Sequence, residues 1–169
     1  MIKYELFLTI CNCGFITPHI ASKYFKITKK TLDIYSNKDF LYKKSVILFG
    51  KNSSIYILSD TLANSLREKG YCIYKHDTTQ LEHDYLLLKV YLSLKKNEQL
   101  SWQNETALKT KFGKDIDTCD AIYVRENKLI GVEIFTPEYR SNKKNDKINF
   151  MKKYCDNYVT FNTKDFDRR

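Results

Sequence analysis

Residues 17–37 read TPHIASKYFKITKKTLDIYSN, and two helix starts stand out within this stretch. Thr17 before Pro18 offers an N-cap hydroxyl, followed by a residue whose missing N–H costs nothing at the first helical position. A short helix is therefore expected to run to about Phe25, with Ile20, Ala21 and Tyr24 turned inward. After the link Lys26-Ile27, Thr28 can cap a second helix through about Asn37, which buries Leu32 and Tyr35 and turns Lys29, Lys30, Asp33, Ser36 and Asn37 outward. Two short helices joined by a tight turn, a small Ala at the crossing and a basic second helix make a helix-turn-helix arrangement. An α-helix fits the DNA major groove, where its N-terminal side chains meet base edges and its lysines meet phosphates.

The flanking sequence extends this pattern. From Ile2 to Cys13, apolar residues recur at Leu6, Phe7, Ile10 and Cys13, and Gly14 ends the helix they imply. Downstream, Lys43–Phe49 (KKSVILF) and Ile55–Leu58 (IYIL) are β-rich runs separated by Gly50-Lys51-Asn52-Ser53-Ser54, a turn with a basic tip. Ser59 or Asp60 caps a further helix over 61–69, closed by Gly70. Helix, helix, helix, hairpin, helix is the order of a winged helix-turn-helix, assigned here to residues 1–75. Its DNA-contacting candidates are Thr28, Lys29, Lys30, Thr31, Asn37, Lys43, Lys44, Lys51 and Asn52. A small helical domain that uses these elements for protein contact is the alternative.

Charge is distributed in keeping with this. Of the net +9, residues 1–75 carry 12 basic and 5 acidic side chains, residues 76–136 carry 8 and 10, and residues 137–169 carry 9 and 5. A basic N-terminal lobe attracts a polyanion such as duplex DNA by counterion release, an attraction that weakens as salt rises. A lysine-rich solvated surface would look the same in composition. With 43% hydrophobic residues and only two prolines, the chain is expected to fold rather than remain disordered.

Residues 76–169 suggest a second, α+β module with a mainly antiparallel sheet. Glu82–Lys95 is apolar nearly all round and is expected as a helix covered on both flanks, within the chain or by a second copy. Leu100-Ser101-Trp102 suggests a strand, followed by a helix containing Glu105 and Leu108. Cys119–Val124 and Leu129–Phe135 suggest a hairpin turned by Arg125-Glu126-Asn127-Lys128. A basic link with Arg140, Lys143, Lys144 and Lys147 leads to a helix carrying Ile148, Met151 and Tyr154, then to a last strand over 158–161.

Asp120 and Glu133 are placed to face each other across that hairpin, with Glu105 supplied by the preceding helix. Convergent carboxylates can hold a Mg²⁺ that activates water and steadies a scissile phosphate, so all three are candidate catalytic residues, and Asp120 and Glu133 candidate metal ligands. A PD-(D/E)xK nuclease also wants a lysine two residues after the second acid, where this chain has Phe135. Without that lysine a structural role for the acids is the alternative, and no cofactor is expected unless the site is active.

Five dispersed cysteines (Cys11, Cys13, Cys72, Cys119, Cys155) are expected as reduced thiols. No run approaches the roughly 18 apolar residues of a membrane span, and the start MIKYELFLTIC lacks signal-peptide order. A cytoplasmic protein without membrane contact is expected.

One family shares this order of features. The helix-turn-helix with hairpin, His83-Asp84-Tyr85 opening an apolar helix, Trp102-Gln103-Asn104-Glu105, Asp120-Ala121 and Val132-Glu133-Ile134 together resemble the replication-relaxation family of plasmid and integrative-element proteins. The resemblance implies a winged helix followed by a restriction-endonuclease-like, often degenerate, domain, with Glu105, Asp120 and Glu133 as counterparts of the family's acids. It also implies a sequence-specific DNA-binding accessory of mobile-element replication or mobilisation, with double-stranded DNA, a relaxase or replication protein, and a second copy of the chain as partners. The expectation is a non-catalytic protein. A metal-dependent DNA endonuclease is one alternative, and a transcriptional regulator or protein-binding phage or plasmid factor another.

Overall fold

The computed structural model describes residues 2–77, 79–137 and 139–163, and the chain is a mixture of α and β structure. It divides into two compact units, Met1–Asp84 and Tyr85–Arg169, which meet inside a helix beyond the 75/76 boundary drawn from the sequence.

The first unit begins with α1 (Ile2–Cys13), α2 (Pro18–Phe25) and α3 (Lys29–Asn37). Local caps set these boundaries. The Thr17 hydroxyl accepts from the Ile20 N–H at 3.3 Å, Thr28 accepts from Thr31 N–H at 3.2 Å, and Lys26 turns α2 out at φ 55°. Gly14 ends α1 at φ 88°, and a Cβ there would sit 2.7 Å from the Cβ of His76, so the chain reverses where only glycine fits. Ile20, Ala21, Leu32 and Tyr35 are buried as the helical spacing requires. Tyr24 is not: it is 41% exposed, and Phe25 takes the inward position.

The strands β1 (Leu41–Leu48) and β2 (Lys51–Leu58) pair antiparallel from Leu41↔Leu58 to Leu48↔Lys51, and α4 (Asp60–Glu68) follows, capped by Ser59. The expected five-residue turn is corrected here. Phe49 (φ 51°) and Gly50 (φ 71°) alone make the turn, a left-handed pair that matches strand twist, and Lys51 to Ser54 are paired strand residues. An isolated bridge, Ile16↔Tyr56, ties the α1–α2 link to β2, over a core that includes Leu6, Phe15, Ile55 and Tyr56. Each such aliphatic or aromatic side chain contributes roughly 1.5–3 kcal/mol on leaving water.

Helix α5 (Leu81–Ser93) contains the boundary between the units, and its Leu86, Leu87 and Leu88 are buried within the chain. The second unit continues with α6 (Lys96–Leu100), β3 (Gln103–Asn104), α7 (Glu105–Phe112), β4 (Ala121–Arg125), β5 (Lys128–Phe135), α8 (Ser141–Tyr154) and β6 (Asn157–Asn162). The expected strand at 100–102 is instead the end of a helical turn, because the Glu98 carboxylate accepts from Lys95 N–H at 2.8 Å and closes α6 at its start.

The sheet order is β3-β4-β5-β6. The first two pairings are antiparallel; β5 and β6 are parallel, joined through α8, so the sheet is less uniformly antiparallel than its hairpin suggested. Glu126 (φ 51°) and Asn127 (φ 62°) turn the β4–β5 hairpin. Leu108, Cys119, Ile122, Phe150 and Met151 form a core between the sheet and helices α7 and α8.

Candidate functional site

In the first unit, α3 and the hairpin carry all the sequence candidates for nucleic-acid contact. Thr28 and Thr31 are engaged with each other: Thr28 Oγ1 accepts from Thr31 N–H and lies 3.0 Å from Thr31 Oγ1. Their hydroxyls therefore build the helix start rather than extend from it. Lys29, Lys30 and Asn37 are exposed, as their helical spacing implies, and Lys44, Lys51 and Asn52 are exposed on the hairpin.

Lys43 has an internal partner. Its Nζ lies 2.8 Å from Asp33 Oδ1, and the Tyr56 hydroxyl donates to the same oxygen at 2.7 Å. These two hydrogen bonds hold the Asp33 carboxyl below the usual carboxylate range, with the Lys43 bond contributing most. Burial raises the Tyr56 hydroxyl first, and the Asp33 carboxylate pushes it further above its ordinary value. Asp33 thus anchors α3 to the hairpin, and Asp33 and Ser36 are half-buried rather than outward. Ile34, which sequence periodicity did not single out, is 43% exposed instead.

A groove of about 690 Å³ runs between the helices and the hairpin, lined by Pro18, Lys29, Ser45, Val46, Ile47, Asn52, Ser53 and Ser54. The lining offers three serine hydroxyls, the Asn52 amide and the Lys29 ammonium beside the apolar Pro18, Val46 and Ile47.

In the second unit the hairpin register brings two of the three acids together. Ala121 pairs with Val132, so Asp120 and Glu133 lie at the same end of the hairpin. Asp120 N–H donates to Glu133 Oε2 at 3.0 Å, and Asp120 Oδ2 accepts from Ile134 N–H at 2.7 Å. Glu105 stays outside this pair and bridges Lys109, one helical turn on, at 2.9 Å.

A lysine completes the cluster, but it comes from α8. Lys147 Nζ lies 3.0 Å from Glu133 Oε1, 3.2 Å from Glu133 Oε2 and 3.4 Å from Asp120 Oδ1. The sequence puts Lys147 in a basic link, whereas the structure has it inside α8, a position signalled by Ile148 and Met151 at helical spacing beside it. Burial alone would lower the Lys147 pKa. The carboxylates of Asp120 and Glu133 outweigh it, with further help from Tyr139 and Glu105, and hold the ammonium well above its ordinary value.

The three side chains are nearly closed to solvent, with relative exposures of 3% for Asp120, 0% for Glu133 and 3% for Lys147. The Tyr139 ring lies 5.7 Å from Lys147 Nζ, and burial raises its hydroxyl pKa. Among the described residues, no group of three or more His, Cys, Asp or Glu side chains is placed to hold a metal ion. Two carboxylates and an ammonium are what the cluster offers.

All five cysteines are free thiols. Burial pushes Cys11 up to about 12 and Cys155 to about 11, which keeps both protonated at neutral pH. Among the described residues, no helix is long and apolar enough to cross a membrane. The chain matches no protein-family model, no curated protein and no solved structure.

Proposed function

We propose that the chain is a sequence-specific double-stranded DNA-binding protein whose first unit is a winged helix-turn-helix, acting as an accessory of plasmid or mobile-element replication or mobilisation. The observation that carries the reading is the surface of α3 and its hairpin. A Thr-capped helix with Lys29 and Lys30 exposed at its start stands beside a two-stranded wing with Lys44, Lys51 and Asn52 exposed, in a segment whose 12 basic side chains outnumber its 5 acidic ones. The helix start also favours a phosphate through its dipole and free N–H groups. The biological setting rests on the family resemblance of the sequence, which also suggests a relaxase or replication protein, or a second copy, as partner.

Lys29→Ala with Lys30→Ala tests it. The double variant is expected to weaken binding to every duplex and to flatten the dependence of log K on log salt by about 2, at about 0.9 per phosphate contact. Undiminished binding removes α3 from the interface.

One observation favours a second reading, a metal-dependent endonuclease. Lys147 supplies, from α8, the ammonium missing at position 135 beside Asp120 and Glu133. A sheet in order β3-β4-β5-β6 with a helical crossover before a parallel last strand supports a restriction-endonuclease-like module. Asp120 and Glu133 would be the ligands for Mg²⁺, and Lys147 the group that meets the phosphate. Near-complete burial of all three puts cleavage second to a structural role. Nicking of supercoiled plasmid with Mg²⁺ or Mn²⁺, lost in Asp120→Asn, would reverse that order; wild-type protein inert with both ions would reject cleavage.

A further inference from the structure

We infer that α3 reads an A·T-containing step in the major groove through Ile34 and Asn37, with Ile34 against a thymine methyl group and Asn37 on an adenine. This rests on the duplex-DNA reading above and deepens it from a charge-based contact to a base-specific one.

Most side chains of α3 are already engaged. Thr28 and Thr31 are engaged in the cap, and Asp33 is held by Lys43 and Tyr56. Leu32 and Tyr35 are in the core, and Lys29 faces the groove beside the hairpin. The positions left on the open side are Lys30, Ile34 and Asn37, all exposed and spaced by four and then three residues, which puts them in one line along the helix.

The composition of that line is informative. Two polar residues flank an isoleucine that keeps 43% of its surface in water. On base edges in the major groove, the thymine C5 methyl is the apolar feature, and an adenine offers N6 and N7 together to a side-chain amide. A lysine at the N-terminal end meets phosphate or guanine. Ile34 and Asn37 are separated along the helix axis by about 4.5 Å, at 1.5 Å per residue, and base pairs rise about 3.4 Å. The two side chains therefore fall on the same or adjacent base pairs, so the element read is a thymine and an adenine within one step.

The test separates this inference from the reading beneath it. Wild-type protein is first used to select duplexes from a pool with a randomised centre. Each thymine of the winning duplex is then replaced in turn by deoxyuridine, which removes the methyl and nothing else. At one position the wild type is expected to lose about fourfold in affinity, the worth of one buried methyl. Ile34→Ala, whose exposed position leaves folding intact by circular dichroism, is expected to bind more weakly and to show no further loss at that same position. Asn37→Ala is expected to lose the preference for adenine at the same or the adjacent pair.

Two results would overturn the inference while leaving DNA binding standing: a selected duplex on which every deoxyuridine is tolerated, or an Ile34→Ala protein that keeps the full deoxyuridine penalty. A pool that returns no bound duplex removes the parent reading, and this one with it.

Discussion

The Tyr56 hydroxyl donates to Asp33 Oδ1 at 2.7 Å, joining the middle of α3 to the second strand of the hairpin. The two residues are 23 positions apart, and Tyr56 itself is fully buried. This bond sets which face of α3 is left open, so it links the stability of the first unit to the geometry of its surface.

Tyr56→Phe is therefore expected to cost about 1 kcal/mol of stability, the net worth of one such hydrogen bond. It should also weaken the proposed DNA binding, because α3 loses an anchor while every surface lysine is kept. Urea unfolding and duplex titration check the two effects. A variant as stable as wild type would remove the anchoring role.

Asp33 also predicts a pH dependence. Its folded-state pKa lies below the ordinary 3.8, so the unfolded chain binds the proton more readily. The stabilisation is present above that value and is lost as pH falls through the lower folded-state value. Glu98, held down by Arg125 at 2.6 Å, acts in the same direction. Melting curves between about pH 5 and about pH 2, a range that brackets the unfolded value and reaches below it, should show Asp33→Asn losing less stability on acidification than the wild type.

Thr28→Ala is expected to cost about 1 kcal/mol through loss of the α3 cap, and Thr28→Ser to recover most of it. Because the hydroxyl is engaged with Thr31, the proposed DNA binding should weaken in Thr28→Ala for all sequences equally. A change in sequence preference would instead give Thr28 a base contact.

Lys147→Met leaves two buried carboxylates without their cation and is expected to cost about 3–5 kcal/mol. Adding Asp120→Asn and Glu133→Gln should recover much of that loss, which unfolding measurements on the single and triple variants would show. The raised Lys147 pKa means that its contribution is fully present below the unfolded value of 10.5 and is lost only as pH rises beyond it, so neutral-pH stability should not reflect its titration.

Gly131→Ala would place a Cβ 2.9 Å from Met151 Cγ and 3.2 Å from Cys155 Sγ. Overpacking of the β5–α8 contact by this methyl is expected to cost about 1–3 kcal/mol. Unchanged stability would show that Met151 moves aside freely.

Much of the first unit was legible because its signals are local. Thr17, Thr28 and Ser59 each cap a helix by bonding an amide three residues on, a relationship contained in four consecutive residues. Residues 100–102 misled because Leu100 and Trp102, either side of Ser101, alternate like a strand, while the deciding contact was the Glu98 carboxylate on Lys95 N–H. The hairpin tip misled in another way. Lys51 to Ser54 look like turn residues, yet the Phe49–Gly50 pair already closes the hairpin and leaves them in register with Leu48 to Ser45.

The sequence by itself determined the helix starts capped by Thr17, Thr28 and Ser59, the burial of Ile20, Ala21, Leu32 and Tyr35, the net positive charge of residues 1–75, and the pairing of Asp120 with Glu133 across a hairpin. Spacing within one helix or one hairpin dictates all of these except the net charge, which is composition. Only the tertiary structure decided that Asp33 turns inward to Tyr56 and leaves Ile34 exposed. It alone brought Lys147 from another element to lie between Asp120 and Glu133. The physical reason is common to both: a buried or half-buried charge must find its partner wherever packing delivers one, and that partner need not be near in sequence.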